Sequence, residues 1–170
     1  GLSRGCNVLI FDLPGHGLSS GEPAVIDNFA DYGRAIDAVL EAVKLPRLPL
    51  WVVAQSTGCA ALIEYARAYP WPFAAVVLLA PLVRPYEWRW GRLAHMLLRP
   101  FAHSIERKFA PNSTDRAFLE FLRQDPLQSR RLPVRWVTAL GKWMDSLPAQ
   151  DLGVGPAMIV TPSSAAIFTA

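Results

Sequence analysis

The chain has 170 residues, about half of them apolar, and a formal net charge of +3. That composition suits one domain with a real core and excludes a disordered chain. Its longest apolar runs, such as residues 73–80, are too short to span a bilayer as a helix.

Charge is unevenly spread. Residues 84–150 hold twelve Lys/Arg against six Asp/Glu, whereas residues 1–83 hold five against seven. The basic character belongs to one segment and bears on partners rather than on fold. Two cysteines, Cys6 and Cys59, make neither a disulfide framework nor a metal site. They favour a reducing, cytoplasmic compartment. The chain opens at Gly1, without a methionine or an apolar leader, so the start carries no readable address.

In chain order, residues 7–11 (NVLIF) form a short continuous apolar run, as expected of a strand buried on both faces. The stretch 12–21 follows, dense in glycine and turn formers. Asp27 or Asn28 can cap a helix reaching about residue 45. Its stripe of Phe29, Tyr32, Ile36, Val39, Leu40 and Val43 steps by three and four. Pro46 ends it.

Residues 50–54 are a β-branched apolar run that stops at Gln55, and a helix-like run opens just past Ser56, ending before Pro70. Strand, sharp turn and helix with a serine at the tip is the layout of a nucleophile elbow. The turn strains the serine backbone and needs small neighbours two before and two after, and Ala54 and Gly58 supply them. Ser56 is the candidate nucleophile. The Thr57 N–H, at the helix start, is the candidate oxyanion donor. A small-x-Ser-x-Gly pattern also occurs in ordinary strand-to-helix loops, so the flanking elements carry the argument. Cys59 reads as a small core residue.

Residues 73–80 give another apolar strand expected to be buried on both faces. The alternation of strands and helices predicts an α/β fold with a mostly parallel sheet, with ligands outside the carboxyl ends of its strands. Past Leu82 the rhythm changes. Residues 84–148 show no strand-like run, several helix-like pieces broken at Pro100, Pro111, Pro126 and Pro133, and Trp88, Trp90, Trp136 and Trp143. A last strand falls at residues 156–160.

The stretch FDLPGHGLSSG (residues 11–21) closely resembles the loop after the fourth strand of the α/β-hydrolase fold. It looks most like the branch with monoacylglycerol lipases, lysophospholipases and serine-aminopeptidase-like hydrolases. With the small-x-Ser-x-Gly turn at 54–58, the resemblance spans residues 7–160. It implies a partial α/β-hydrolase core in residues 1–83 and 151–170, with a helical cap inserted at residues 84–150 over the acyl pocket. It also implies that His16 shapes the loop and is not the catalytic base.

The implied activity is cleavage of a carboxylic ester through an acyl-enzyme on Ser56, on a lipid-like monoacyl substrate. No cofactor, metal or nucleic acid is expected. The basic residues Arg89, Arg92, Arg99, Arg107, Lys108, Arg130, Arg131 and Arg135 have two readings: contact with a membrane or anionic lipid through the cap, or a solvated face. His95 and His103, among Leu93, Met96, Leu97, Leu98 and Phe101, read as cap packing.

The resemblance also expects an aspartate after the last strand and a later histidine. No carboxylate follows Asp151. The expected chain is therefore a piece of a hydrolase, inactive alone, or a non-catalytic relative that binds a lipid or partner. The strand that would lie between residues 7–11 and 50–54 is missing too. An open slot about 9.5 Å wide, twice the interstrand spacing, is expected there.

Overall fold

The structure is a computed structural model, and it describes residues 5–43, 48–82, 92, 97, 101–106, 115–147 and 152–161. Trp88, Trp90, Arg89, Arg99, Arg107, Lys108, His95, Leu93, Met96 and Leu98 lie outside the described residues.

The first helix, α1 (Ala30–Ala42), has Phe29 at its N-cap with no side-chain capping bond, so neither Asp27 nor Asn28 holds the cap position expected of it. The Asn28 side chain accepts the Ala30 N–H at 3.0 Å. Asp27 is used differently, as described below. Phe29, Tyr32 and Ile36 are buried as the stripe requires, but Val43 is exposed and extended. The helix ends at Ala42, with Val43 as an extended C-cap, short of the expected residue 45.

A parallel sheet follows, from β1 (Leu50–Gln55) through α2 (Thr57–Ala68) to β2 (Phe73–Leu79). The last strand, β5 (Ala157–Val160), pairs parallel with the other side of β2, giving the order β1-β2-β5. The pleat sends Val52, Ala54, Val76 and Leu78 to one face. That face meets α1 and α2 in a single core that includes Phe29, Tyr32, Cys59, Leu62 and Tyr65. Helices α1 and α2 cross where Gly33 sits. A Cβ there would come within 3.2 Å of the α2 backbone at Glu64 and Tyr65, so any side chain would press the two helices a few tenths of an ångström apart.

The other face of the sheet is open. Trp51 is 73% exposed, Val53 67% and Met158 62%. The expectation that β2 is buried on both faces therefore fails: Val76 is its one fully buried residue. The opening run departs further. Residues 7–11 form no strand and make no ladder with β1, and Ile10 is 84% exposed. An extended apolar segment becomes a strand only when a neighbour takes its N–H and C=O groups, and none among the described residues does. No direct ladder joins residues 7–11 to β1, whose paired side faces β2 alone among the described residues.

The segment after Leu82 also differs from expectation. It contains a two-stranded antiparallel sheet, β3 (Ser104–Glu106) with β4 (Arg131–Pro133), in the register Ser104↔Pro133 to Glu106↔Arg131. Strands of three residues are too short to show an alternating pattern. Helix α3 (Arg116–Gln124) is capped by Asp115, whose carboxylate accepts the Ala117 and Phe118 N–H groups at 2.9 and 3.2 Å. It has no buried residue, and Phe121 is 67% exposed.

Helix α4 (Val134–Asp145) packs on α1 and α2. Trp143 stacks on Phe29 with ring centroids 5.0 Å apart. Its indole N–H donates to Glu64 at 2.9 Å, and the Trp136 N–H donates to the Tyr32 hydroxyl at 3.1 Å. Arg135 forms a two-pronged pair with Asp27 at 2.9 and 2.5 Å. These four contacts fasten α4 to the face of the helix layer.

Candidate active site

The turn between β1 and α2 holds the candidate nucleophile. Ser56 has φ 50° and ψ −114°, a region that side-chain-bearing residues rarely adopt. It is exposed, at the carboxyl end of the parallel sheet where ligands bind in such folds. The Ser56 N–H donates to the Leu79 carbonyl at 3.0 Å, tying the turn to β2. Its own carbonyl accepts the Cys59 N–H at 3.0 Å, which closes the first turn of α2. Thr57, the first helical residue, is half-buried. Its N–H has no intrahelical acceptor, as at every helix start, and stands beside Ser56.

Small neighbours matter as a pair. A Cβ added at Gly58 would sit 3.9 Å from the Ala54 Cβ, ordinary contact distance. One methyl at each position is therefore tolerated, and anything larger at either would press on the other. Beneath the turn, the buried Cys59 thiol donates to the Ala54 carbonyl at 3.2 Å. Burial pushes the Cys59 thiol pKa up, so it stays protonated.

His16 is held in its own loop. Its Nδ1 lies 3.1 Å from the Pro14 carbonyl, and its ring meets Tyr32 edge-on at 5.9 Å. That loop folds around Asp12, whose carboxylate accepts the Leu18 N–H at 3.0 Å. A Cβ at Gly17 would overlap the Asp12 carboxylate, which explains the glycine. His103 is exposed, and its carbonyl accepts the Val134 N–H at 3.0 Å. Among the described residues no histidine is hydrogen-bonded to the Ser56 hydroxyl. His103, read from the sequence as cap packing, is exposed instead, as are its neighbours Leu97 and Phe101.

The basic segment is partly neutralised. Arg92 pairs with Asp145 at 3.1 Å, and Arg135 with Asp27. The Arg131 Nε donates to the Ser104 hydroxyl at 2.7 Å, joining β3 to β4. Sequence reasoning missed two things: these pairings, and the role of residues 79–82 in holding Ser56. Partners so distant in sequence leave no local pattern to read.

A serine in a strained strand-to-helix turn, at the carboxyl end of a parallel sheet with helices on one side, defines the α/β-hydrolase class. The family model for serine aminopeptidase, S33 (Hydrolase_4) matches residues 2–160, and the chain belongs to that family. It is 35% identical over 83 residues to the human monoglyceride lipase, covering 46% of this chain and 27% of the relative. It is also 35% identical over 83 residues to a monkeypox virus monoglyceride lipase homolog, covering 48% of this chain and 30% of that protein.

Among solved structures, the monoacylglycerol lipase of Paleococcus ferrophilus superposes with a TM-score of 0.64 at 20% identity, covering 79% of this chain and 53% of that one. A soluble variant of the Saccharomyces cerevisiae monoglyceride lipase, in complex with a substrate analog, gives 0.60 at 19% identity, covering 78% and 48%. The match thus takes in under a third of the curated relatives and about half of the solved ones. Among the described residues no helix is long and apolar enough to cross a membrane.

Proposed function

We propose that this chain is the nucleophile-bearing part of a serine ester hydrolase that cleaves a lipid-like monoacyl ester. The observation that carries the reading is Ser56: exposed, at positive φ, between β1 and α2, in a member of this family. In the proposed reaction the Ser56 hydroxyl oxygen attacks the ester carbonyl, and its proton passes to a general base. The Thr57 N–H stabilises the oxyanion, and the alcohol leaves with a proton returned by the same base. Water then releases the fatty acid from Ser56. The monoglyceride lipase names of the relatives support a monoacyl ester over a peptide.

Residues 84–150 are proposed to act as a cap, with α4 as the part fastened to the core. A membrane or anionic-lipid contact fits α3, which exposes Phe118 and Phe121 with Arg116 and Arg123 on the same helix. A cytoplasmic site of action fits the two free thiols, Cys6 and Cys59.

The test is a chain-length series of glycerol monoesters offered to the complete hydrolase. Medium or long acyl chains should be preferred, with cleavage at anionic vesicles weakening as salt rises, because exposed charges are screened. A strict preference for acetyl esters or for amino-acid amides would contradict the substrate assignment.

A further inference from the structure

Two left-handed backbones meet at the elbow, and only one belongs to the candidate nucleophile. Ser56 has φ 50°; Ala80, the residue after β2, has φ 43°. The two are joined through the main chain. Leu79 C=O accepts the Ser56 N–H at 3.0 Å, and Leu82 N–H donates to Ser56 C=O at 3.3 Å. Both main-chain polar groups of Ser56 thus engage residues 79–82. The Cys59 Sγ, whose proton goes to the Ala54 carbonyl, also lies 3.7 Å from the Leu79 carbonyl oxygen, so α2 rests against the same peptide.

For a carbonyl at 79 and an N–H at 82 to face one residue, the chain must reverse between them. The positive φ of Ala80 contributes that reversal. An alanine pays for this conformation in strain that a glycine would escape, so the surroundings must impose it. One anchor is visible: the Ala80 N–H donates to the Val160 carbonyl of β5 at 2.8 Å. The path from β5 to Ser56 runs through the Leu79–Ala80 peptide unit, whose N–H donates to Val160 and whose C=O accepts the Ser56 N–H, and Leu82 beyond Ala80 closes it on the Ser56 carbonyl.

We infer that Ala80 is a positioning residue for Ser56: its left-handed turn, pinned to β5 at Val160, sets the backbone conformation of the candidate nucleophile. The consequence for rate rests on the function proposed above; the consequence for the Ser56 backbone does not.

Amide hydrogen exchange by NMR on the complete hydrolase tests the backbone claim. Ala80→Gly, free to keep a positive φ, should leave Ser56 and Leu82 protected as before. Ala80→Val, whose branched Cβ resists positive φ, should lower protection at Ser56 and Leu82 by at least about tenfold more than at Tyr32 and Ile36 in α1. If Ala80→Val fails to fold, Ala80→Leu is read in the same way. Equal loss at all amides, or no loss at Ser56, would overturn the inference.

In the complete hydrolase, the fluorophosphonate rate constant per reactive molecule should fall at least about tenfold in Ala80→Val and recover in Ala80→Gly. A purely structural role would lower the reactive fraction and leave that rate constant unchanged, which also overturns the inference. If Ser56 takes no label even in the wild type, the proposed function fails, and hydrogen exchange alone still decides the role of Ala80.

Discussion

Ser56 stores strain at the point where chemistry is proposed. Its φ of 50° with ψ of −114° is glycine territory, and such conformations cost of order 1–3 kcal/mol in other residues. Ser56→Gly should therefore stabilise the chain by about 1 kcal/mol in urea unfolding while removing the hydroxyl. A destabilised Ser56→Gly would mean that the backbone here is not strained. The strain itself is legible in the residue order alone, in a serine between a β-branched run and a helix with Ala54 and Gly58 around it. How the strain is held is not legible there: Leu79, Leu82 and Cys59 act through main-chain carbonyls and N–H groups, whose contacts side-chain identity does not encode.

At the scale of elements, the helix layer follows from periodicity and the sheet only in part. Helix α1 follows its three- and four-residue apolar steps but stops at Ala42, and α2 fills the run between Ser56 and Pro70 as expected. Residues 7–11 have the composition of a strand but stay unpaired, because composition sets a propensity and pairing needs a partner. The contact that most depends on partners is Tyr32, fully buried, with its hydroxyl accepting the Trp136 N–H. Burial pushes the Tyr32 pKa up to about 12, above its ordinary value of 10.

Tyr32 therefore ionises more readily in the unfolded chain than in the folded one. Its contribution is whole below pH 10 and is lost as pH rises toward 12, amounting to about 2 kcal/mol at most. Tyr32→Phe should cost about 1 kcal/mol at pH 7, because the Trp136 N–H loses its acceptor. It should also flatten the decline between pH 10 and 12 seen in urea melts, though not abolish it, since burial raises the Tyr65 pKa as well. An unchanged alkaline slope would show that Tyr32 titrates alike in the folded and unfolded chains.

Across the whole molecule, one face of the sheet is covered and the other bare. A parallel sheet is almost always covered on both faces, and Trp51, Val53 and Met158 have the apolar character of a face meant to be covered. The edge of β1 is open as well, with β2 on one side and no strand of the described residues on the other. In isolation the 170-residue chain should self-associate through this surface. Val53→Lys should reduce the association measured by light scattering at matched concentration, while moving stability by no more than about 0.5 kcal/mol, as at an exposed site. Unchanged association would place the sticky surface elsewhere. The continuous apolar run of 50–54 announces a strand with two apolar faces. Which of them finds cover depends on chain that the local pattern does not contain.

The most direct test of the central claim is the site of acylation. The complete hydrolase, incubated with a fluorophosphonate and digested, should carry a single adduct on the peptide containing Ser56, read by mass spectrometry. Ser56→Ala should abolish that adduct and lower turnover by at least ~10³-fold, the scale of removing a catalytic serine. An adduct on another serine, or full ester cleavage in Ser56→Ala, would contradict the account.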